Sequence, residues 1–260
     1  MIARLSLRFA VLAYLAGILL IPVGLVFWRT FEHGLAPAWD AVTTPEAKHA
    51  FWLTIKIAAI AVPLNTLFGV VCALAIVRRR FPGKGLLNSA VDLPLALSPV
   101  VVGLSLFLLY GRNGWLGDLP FRVLFATPSM VLATIFVSLP FVAREVVPVL
   151  REIGTDQEEA AATLGAGAFT TFWRVTLPAI RWAVAYGVVL TTARAIGEYG
   201  AVAVVSGNIE GKTQTMTLLV ADMYTNYNLT GAYAASVVLA MIAIVTLVAM
   251  TLIRPREEKT

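Results

Sequence analysis

TDQEEAAATLGAGAFTTFWRVTLP, residues 155–178, separates two long apolar blocks with charged and small residues. Its spacing predicts a helix, a glycine turn and a second helix. Thr155 with Glu158 three residues on has the form of a capping box, and Asp156, Glu158 and Glu159 put negative charge where a helix N-terminus favours it. Ala160, Ala161 and Ala162 are strong helix formers with almost no side chain, so their helix offers a narrow surface that another protein's cleft can close around. Gly165, Ala166 and Gly167 break it. Phe169, Phe172, Trp173 and Val175 then recur at helical spacing, and Pro178 stands where a new helix has its first turn.

The flanking sequence has a membrane protein's composition. Of 260 residues 59% are hydrophobic and 13% charged, with a mean hydropathy of +0.83, and so few charges gathered in loops cannot cover a soluble surface. Six apolar runs are predicted to span, at about 9–28, 53–77, 90–110, 128–150, 181–206 and 234–253. The first is too long for a signal-peptide core and is expected to stay uncleaved, despite the cleavage-like Ala36-Pro37-Ala38. Lys56 sits where its stem can snorkel to the interface, Pro63 suggests a kink, and Pro94 and Pro99 are tolerable where neighbouring helices satisfy the freed carbonyls. The single cysteine, Cys72, reads as a small buried apolar residue; His33 and His49 read as solvated loop residues without a metal-ligand pattern. No internal repeat, linker or soluble domain is evident. The chain is expected to be one all-α membrane domain, residues 1–260, with the loop at about 151–181.

Lysine and arginine sort the loops. Arg4, Arg8, Arg78, Arg79, Arg80, Lys84, Arg144, Arg151, Arg174, Arg181, Arg254, Arg256 and Lys259 fall on one side; Arg29, Lys48, Arg112, Arg122 and Lys212 fall on the other. By the positive-inside rule both termini and the 155–178 loop are cytoplasmic. This asymmetry accounts for the net charge of +5 without nucleic acid or an acidic substrate. Gly207-Asn208-Ile209-Glu210-Gly211-Lys212-Thr213 is one residue too short between its glycines for a phosphate loop and falls on the other side. The chain thus offers no nucleotide site of its own, and no cofactor or metal is expected. Asn228-Leu229-Thr230 fits a glycosylation sequon and carries little weight here.

Glu159-Ala160-Ala161, three residues, Gly165, nine residues and Val175-Thr176-Leu177-Pro178 resemble the EAA loop of the membrane subunits of bacterial ATP-binding-cassette importers. Val175 stands where that family prefers isoleucine. The resemblance implies a type I importer permease of the MetI-like fold, in a bacterial inner membrane, whose short coupling helix docks into a groove on the ATPase. It implies coupling roles for Glu159, Ala160, Ala161, Gly165, Leu177 and Pro178.

Ala193 through Val202, then Val205-Ser206-Gly207-Asn208 and Lys212-Thr213, are similar to sulfate permease subunits. So are Asp92-Leu93-Pro94, Ser98-Pro99-Val100-Val101, Leu109-Tyr110-Gly111 and Asn113-Gly114. The region 207–218 resembles the W-type subunit more than the T-type. This likeness implies a heterodimer with a T-type permease, two copies of a cytoplasmic ATPase, and a periplasmic protein delivering sulfate or thiosulfate. Molybdate and tungstate permeases are also similar around Arg194 to Gly200, and that reading stays open.

Arg194 and Glu198 form the one opposite-charge pair deep within a predicted span, and i,i+4 spacing sets them on one helix face. Two readings stand: a bridge that only pins the span, or a cation lining an anion pathway with Glu198 as its restraint. Gly197 and Gly200 beside the acid would let another helix approach, and Ser206 is a further pathway candidate. Residues 207–232, rich in Thr, Tyr, Asn and Met, are expected to face a binding protein and the partner subunit, with a short interfacial helix from Met216 to Tyr224. A secondary anion transporter would not need the EAA loop, and an intramembrane enzyme would need a catalytic constellation this chain lacks.

Overall fold

The computed structural model describes residues 2–32 and 34–253. The expectations for His33 and for the basic tail 254–260 lie outside the described residues. The secondary structure there is helical, without a strand among the described residues: α1 (Ile2–Phe31), α2 (Leu35–Thr43), α3 (Pro45–Arg78), α4 (Lys84–Ala96), α5 (Pro99–Tyr110), α6 (Thr127–Ser138), α7 (Pro140–Glu152), α8 (Asp156–Thr163), α9 (Ala168–Thr171), α10 (Leu177–Ile196), α11 (Gly200–Val205), α12 (Met216–Thr225) and α13 (Leu229–Ile253). A π-helical turn, Phe172–Thr176, joins α9 to α10. Five helices in the described residues are long and apolar enough to cross a membrane, and six if α4 and α5 count as one broken span.

Two expected spans are interrupted. The run 90–110 is not one helix: α4 and α5 meet at a bend of 109°. Pro99 lacks an N–H and disfavours helical geometry in the residue before it, and Leu97 and Ser98 are accordingly extended. The run 181–206 is displaced as well. Its helix begins at Ala168, passes through the π turn and stops at Ile196; α11 is a separate helix after Gly197. Pro178 cannot donate to the carbonyl of Arg174, and the backbone widens just upstream, where Leu177 N–H donates to Phe172 O.

Packing in an apolar solvent depends on close backbone approach. Val70 and Ala73 of α3, Val142, Val146 and Leu150 of α7, and Ile180 of α10 form one buried cluster. Gly69 and Gly187 make it possible: a Cβ would stand 2.7 Å from Val142 Cβ at Gly69 and 2.8 Å from Val142 Cα at Gly187. A second cluster joins α3, α5, α6, α11 and α12 around Met130, Val202 and Val205. Buried Asn65 adds polar glue there, donating to Ile135 O at 3.0 Å and to Ser138 Oγ at 2.8 Å. Cys72 is buried and free.

The 34-residue α3 sets the long dimension, roughly 50 Å at a helix's rise per residue. Near its start, His49 Nε2 lies 3.2 Å from Lys212 O; at its end, Arg78 meets the 150–158 segment. The basic end of α3 and the 150–158 segment thus share one end. Loops 111–125 and 207–214 gather at the other, joined by Phe125 N–H donating to Val205 O.

Candidate functional site

Helix α8 forms where the alanines predict it, but its N-terminus is not a capping box. Thr155 makes no cap to the backbone; its hydroxyl donates to Glu159 Oε1 at 2.7 Å. Glu158 instead turns inward. Its Oε2 lies 2.9 Å from Arg78 Nε, and its Oε1 accepts from Thr176 Oγ1 at 2.9 Å. The competing partner was a part-buried arginine some eighty residues away in sequence, stronger than a local N–H.

The glycine turn is built as expected. Gly165 has φ +85°, Gly165 N–H donates to Ala162 O and Ala166 N–H to Ala161 O, which closes α8 in a Schellman motif. A Cβ on Gly165 would meet nothing within 4 Å, so the backbone angle alone demands glycine. Gly154, φ +63°, bounds α8 at its other end. No α8 residue is buried, and beside it Leu164 is 89% exposed, Phe169 78% and Trp173 53%. Phe169 and Trp173 pack edge to face. Apolar side chains this exposed next to a polar helix form a surface fit for a protein partner. Glu159, Ala160, Ala161 and Gly165 lie on this surface, while Leu177 and Pro178 open α10 behind it.

Arg78 is the residue that the sequence pattern did not single out beyond its charge. Its side chain is 13% exposed, Nη1 donates to Leu150 O at 2.9 Å, and Nη2 donates to Gly154 O at 2.6 Å. These contacts cap carbonyls at the end of α7, where a helix leaves acceptors unpaired and favours a cation. One guanidinium therefore joins α3, α7 and α8.

The second candidate site forms, with a different geometry. Arg194 Nη1 lies 2.8 Å from Glu198 Oε2, but Glu198 falls beyond the end of α10 rather than on its face. Its carboxylate also accepts from Ala201 N–H at 2.9 Å, tying the start of α11, and its backbone carbonyl accepts from Thr217 Oγ1 at 2.7 Å. Glu198 is buried; the Arg194 side chain is 32% exposed. Gly200 allows the expected approach, since a Cβ there would stand 3.0 Å from Pro99 Cβ at the α4–α5 bend, whereas Gly197 faces only Ala193 O. Ser206 does not join the pair. It is buried at the far end of α11, where its hydroxyl accepts from Asn208 N–H. A second pair lies nearer the span ends: Arg144 Nε lies 2.6 Å from Asp92 Oδ1, linking α7 to α4.

At the opposite end the 207–213 segment is a turn, with Gly207, Asn208 and Gly211 at positive φ, and the next helix opens only at Met216. Helix α12 is there as predicted, with one face buried and Tyr224 at its end 62% exposed. Met216 and Leu219 bury against Ala47 and Ala50 of α3 and Ala235 of α13. Among the described residues, no group of three or more His, Cys, Asp or Glu is placed to hold a metal.

Comparison with known proteins places these features. Residues 65–259 match the family described as the binding-protein-dependent transport system inner membrane component. A sulfate transport system permease protein CysW from Synechococcus elongatus is 54% identical, across 94% of this chain and 87% of that one. A probable sulfate transport system permease protein cysT from Nephroselmis olivacea is 37% identical, across 95% and 89%. Among solved structures, a bacterial ABC transporter that imports the acidic polysaccharide alginate superposes with a TM-score of 0.79 at 17% identity, covering 99% of this chain and 98% of that chain, which speaks for the fold. A chain with this fold, matched over these lengths, belongs to the binding-protein-dependent transport system inner membrane component family, and it is a permease subunit of an ABC importer.

Proposed function

We propose that this protein is the W-type permease subunit of an ATP-driven sulfate and thiosulfate importer. It forms the translocation pathway with a T-type permease, takes anion from a periplasmic binding protein and is driven by two copies of a cytoplasmic ATPase, having no nucleotide site of its own. The observation that carries the reading is α8: a short polar helix between two left-handed glycines, standing clear of the bundle beside exposed Leu164, Phe169 and Trp173. Such an element serves a partner, because among the described residues only the Glu158 side of it is engaged by its own chain. Glu159, Ala160, Ala161 and Gly165 present the docking surface, and Leu177 and Pro178 tie it to α10. The whole chain acts as one membrane domain. The excess of lysine and arginine at the α8 end supports a cytoplasmic location for both termini and for this loop, in a bacterial inner membrane.

Sulfate is favoured because the relatives at 54% and 37% identity are both named for sulfate transport, and the higher identity to the W-type one favours that subunit. Arg194 is the proposed pathway cation, since its side chain is one-third exposed while its partner is buried. Ser206, buried and engaged by its own turn, supports the pathway by shape alone. Competition is the test: with the assembled importer in proteoliposomes, unlabelled sulfate and thiosulfate are expected to suppress labelled sulfate uptake, and molybdate at equal concentration to leave it above half. Suppression by molybdate at lower concentration than sulfate would reassign the substrate.

A further inference from the structure

We infer that Arg78 is a positioning residue that straps the coupling helix to the spans and relays its movement into the bundle; the inference rests on the coupling reading of α8. Helix α8 has no buried residue and is flanked by Gly154 and Gly165, both at positive φ, so neither apolar packing nor the adjoining backbone fixes its attitude. A cavity of about 530 Å³ lies between it and the end of α3, lined by Leu74, Arg78, Glu158, Ala162 and Phe172. Across that gap the link is polar.

Arg78 contacts Glu158 with Nε, Leu150 O with Nη1 and Gly154 O with Nη2, and Glu158 extends the link to Thr176 in the π turn before α10. Three segments thus meet at one planar cation, α3, the end of α7 and α8, and Glu158 adds the entry to α10. Arginine suits the task because its donors are set in a rigid fork, whereas a lysine would offer a single point charge on a flexible stem. The three long partners, α3, α7 and α10, share the buried cluster in which Gly69 and Gly187 close on Val142, so a displacement delivered at Arg78 enters a packed, weakly compressible body. A push on α8 moves all three spans together while the strap holds. Without it, α8 swings on its glycines.

The test uses the complete importer in proteoliposomes, comparing the parental chain with Glu158→Gln and Arg78→Gln. Glu158→Gln removes the ion pair and leaves Arg78 its two carbonyl acceptors; Arg78→Gln removes the whole node. Both variants are expected to capture the ATPase and hydrolyse ATP, but anion imported per ATP hydrolysed should fall roughly tenfold, a loss confined to coupling. Hydrogen exchange with ATP and vanadate gives a readout that needs no anion. Trapping should alter exchange in α8 and at the ends of α3 and α7 in the parental protein, and in α8 alone in Glu158→Gln. A Glu158→Gln importer that relays this change and couples as the parental one does overturns the strap, and so does one that no longer captures ATPase, because the pair would then serve docking. Failure of the parental chain to capture ATPase faults the coupling reading itself, and the strap with it. A parental complex that relays the change but moves no sulfate faults only the substrate.

Discussion

Glu198 is a buried carboxylate with two obligations, an ion pair to Arg194 and a hydrogen bond from Ala201 N–H, and this decides how its role can be tested. Exchanging the two charges would place an arginine where a hydrogen-bond acceptor is needed, so loss of function in a swapped protein would say nothing about the pathway. Removing Arg194 alone would leave a buried charge uncompensated, at a cost of about 3–5 kcal/mol. The double variant Arg194→Gln with Glu198→Gln avoids both problems, because the glutamine oxygen can still accept from Ala201 N–H. If the pair only holds α10 to α11, this variant should import at the parental rate. With Arg194 in the pathway, sulfate import by the double variant should fall about tenfold or more, a loss of at least ~1.4 kcal/mol of transition-state stabilisation, while its thermal midpoint in detergent stays within a few degrees. Parental import would remove Arg194 from the pathway.

At the scale of elements, α8 and the turn that ends it carry the coupling proposal. Gly165 sits in open space at φ +85°, so a substitution there is resisted by the backbone and by no neighbour in this chain. A β-branched side chain in that conformation is strained by about 1–3 kcal/mol, whereas asparagine adopts it readily. Gly165→Val should therefore abolish ATP-driven import, and Gly165→Asn should retain most of it. Equal loss in both would mean that a partner's close approach, rather than the turn, requires glycine. This turn was legible in the sequence because glycine and its alanine-rich approach are local signals. The partner of Glu158 was not, because Arg78 lies far along the chain and reads as one more basic residue in an Arg-Arg-Arg run. The interruptions of the spans were not legible: Pro99 reads as tolerable within its span and Gly197 as a place of close approach, because an apolar run looks the same whether its helix continues or turns. For α12, the helix from Met216 was expected, and the burial of Met216 and Leu219 against α3 and α13 was not, because burial is decided by elements distant in sequence.

For the whole molecule, α3 spans the distance between a polar end, where loops 111–125 and 207–214 meet, and the end where α8 stands clear. On the proposed reading anion enters at one end and force at the other, with the bundle around Gly69, Gly187 and Val142 between them. Class and fold were legible because composition, apolar run length and the spacing from Glu159 to Pro178 all agree, and the family match covers residues 65–259. The most direct measurement of this account is uptake of radiolabelled sulfate by proteoliposomes containing this chain, a T-type permease, the ATPase and a sulfate-loaded binding protein. The account predicts accumulation that requires enclosed ATP and every one of the four components; accumulation driven by an ion gradient in the absence of ATPase would contradict it.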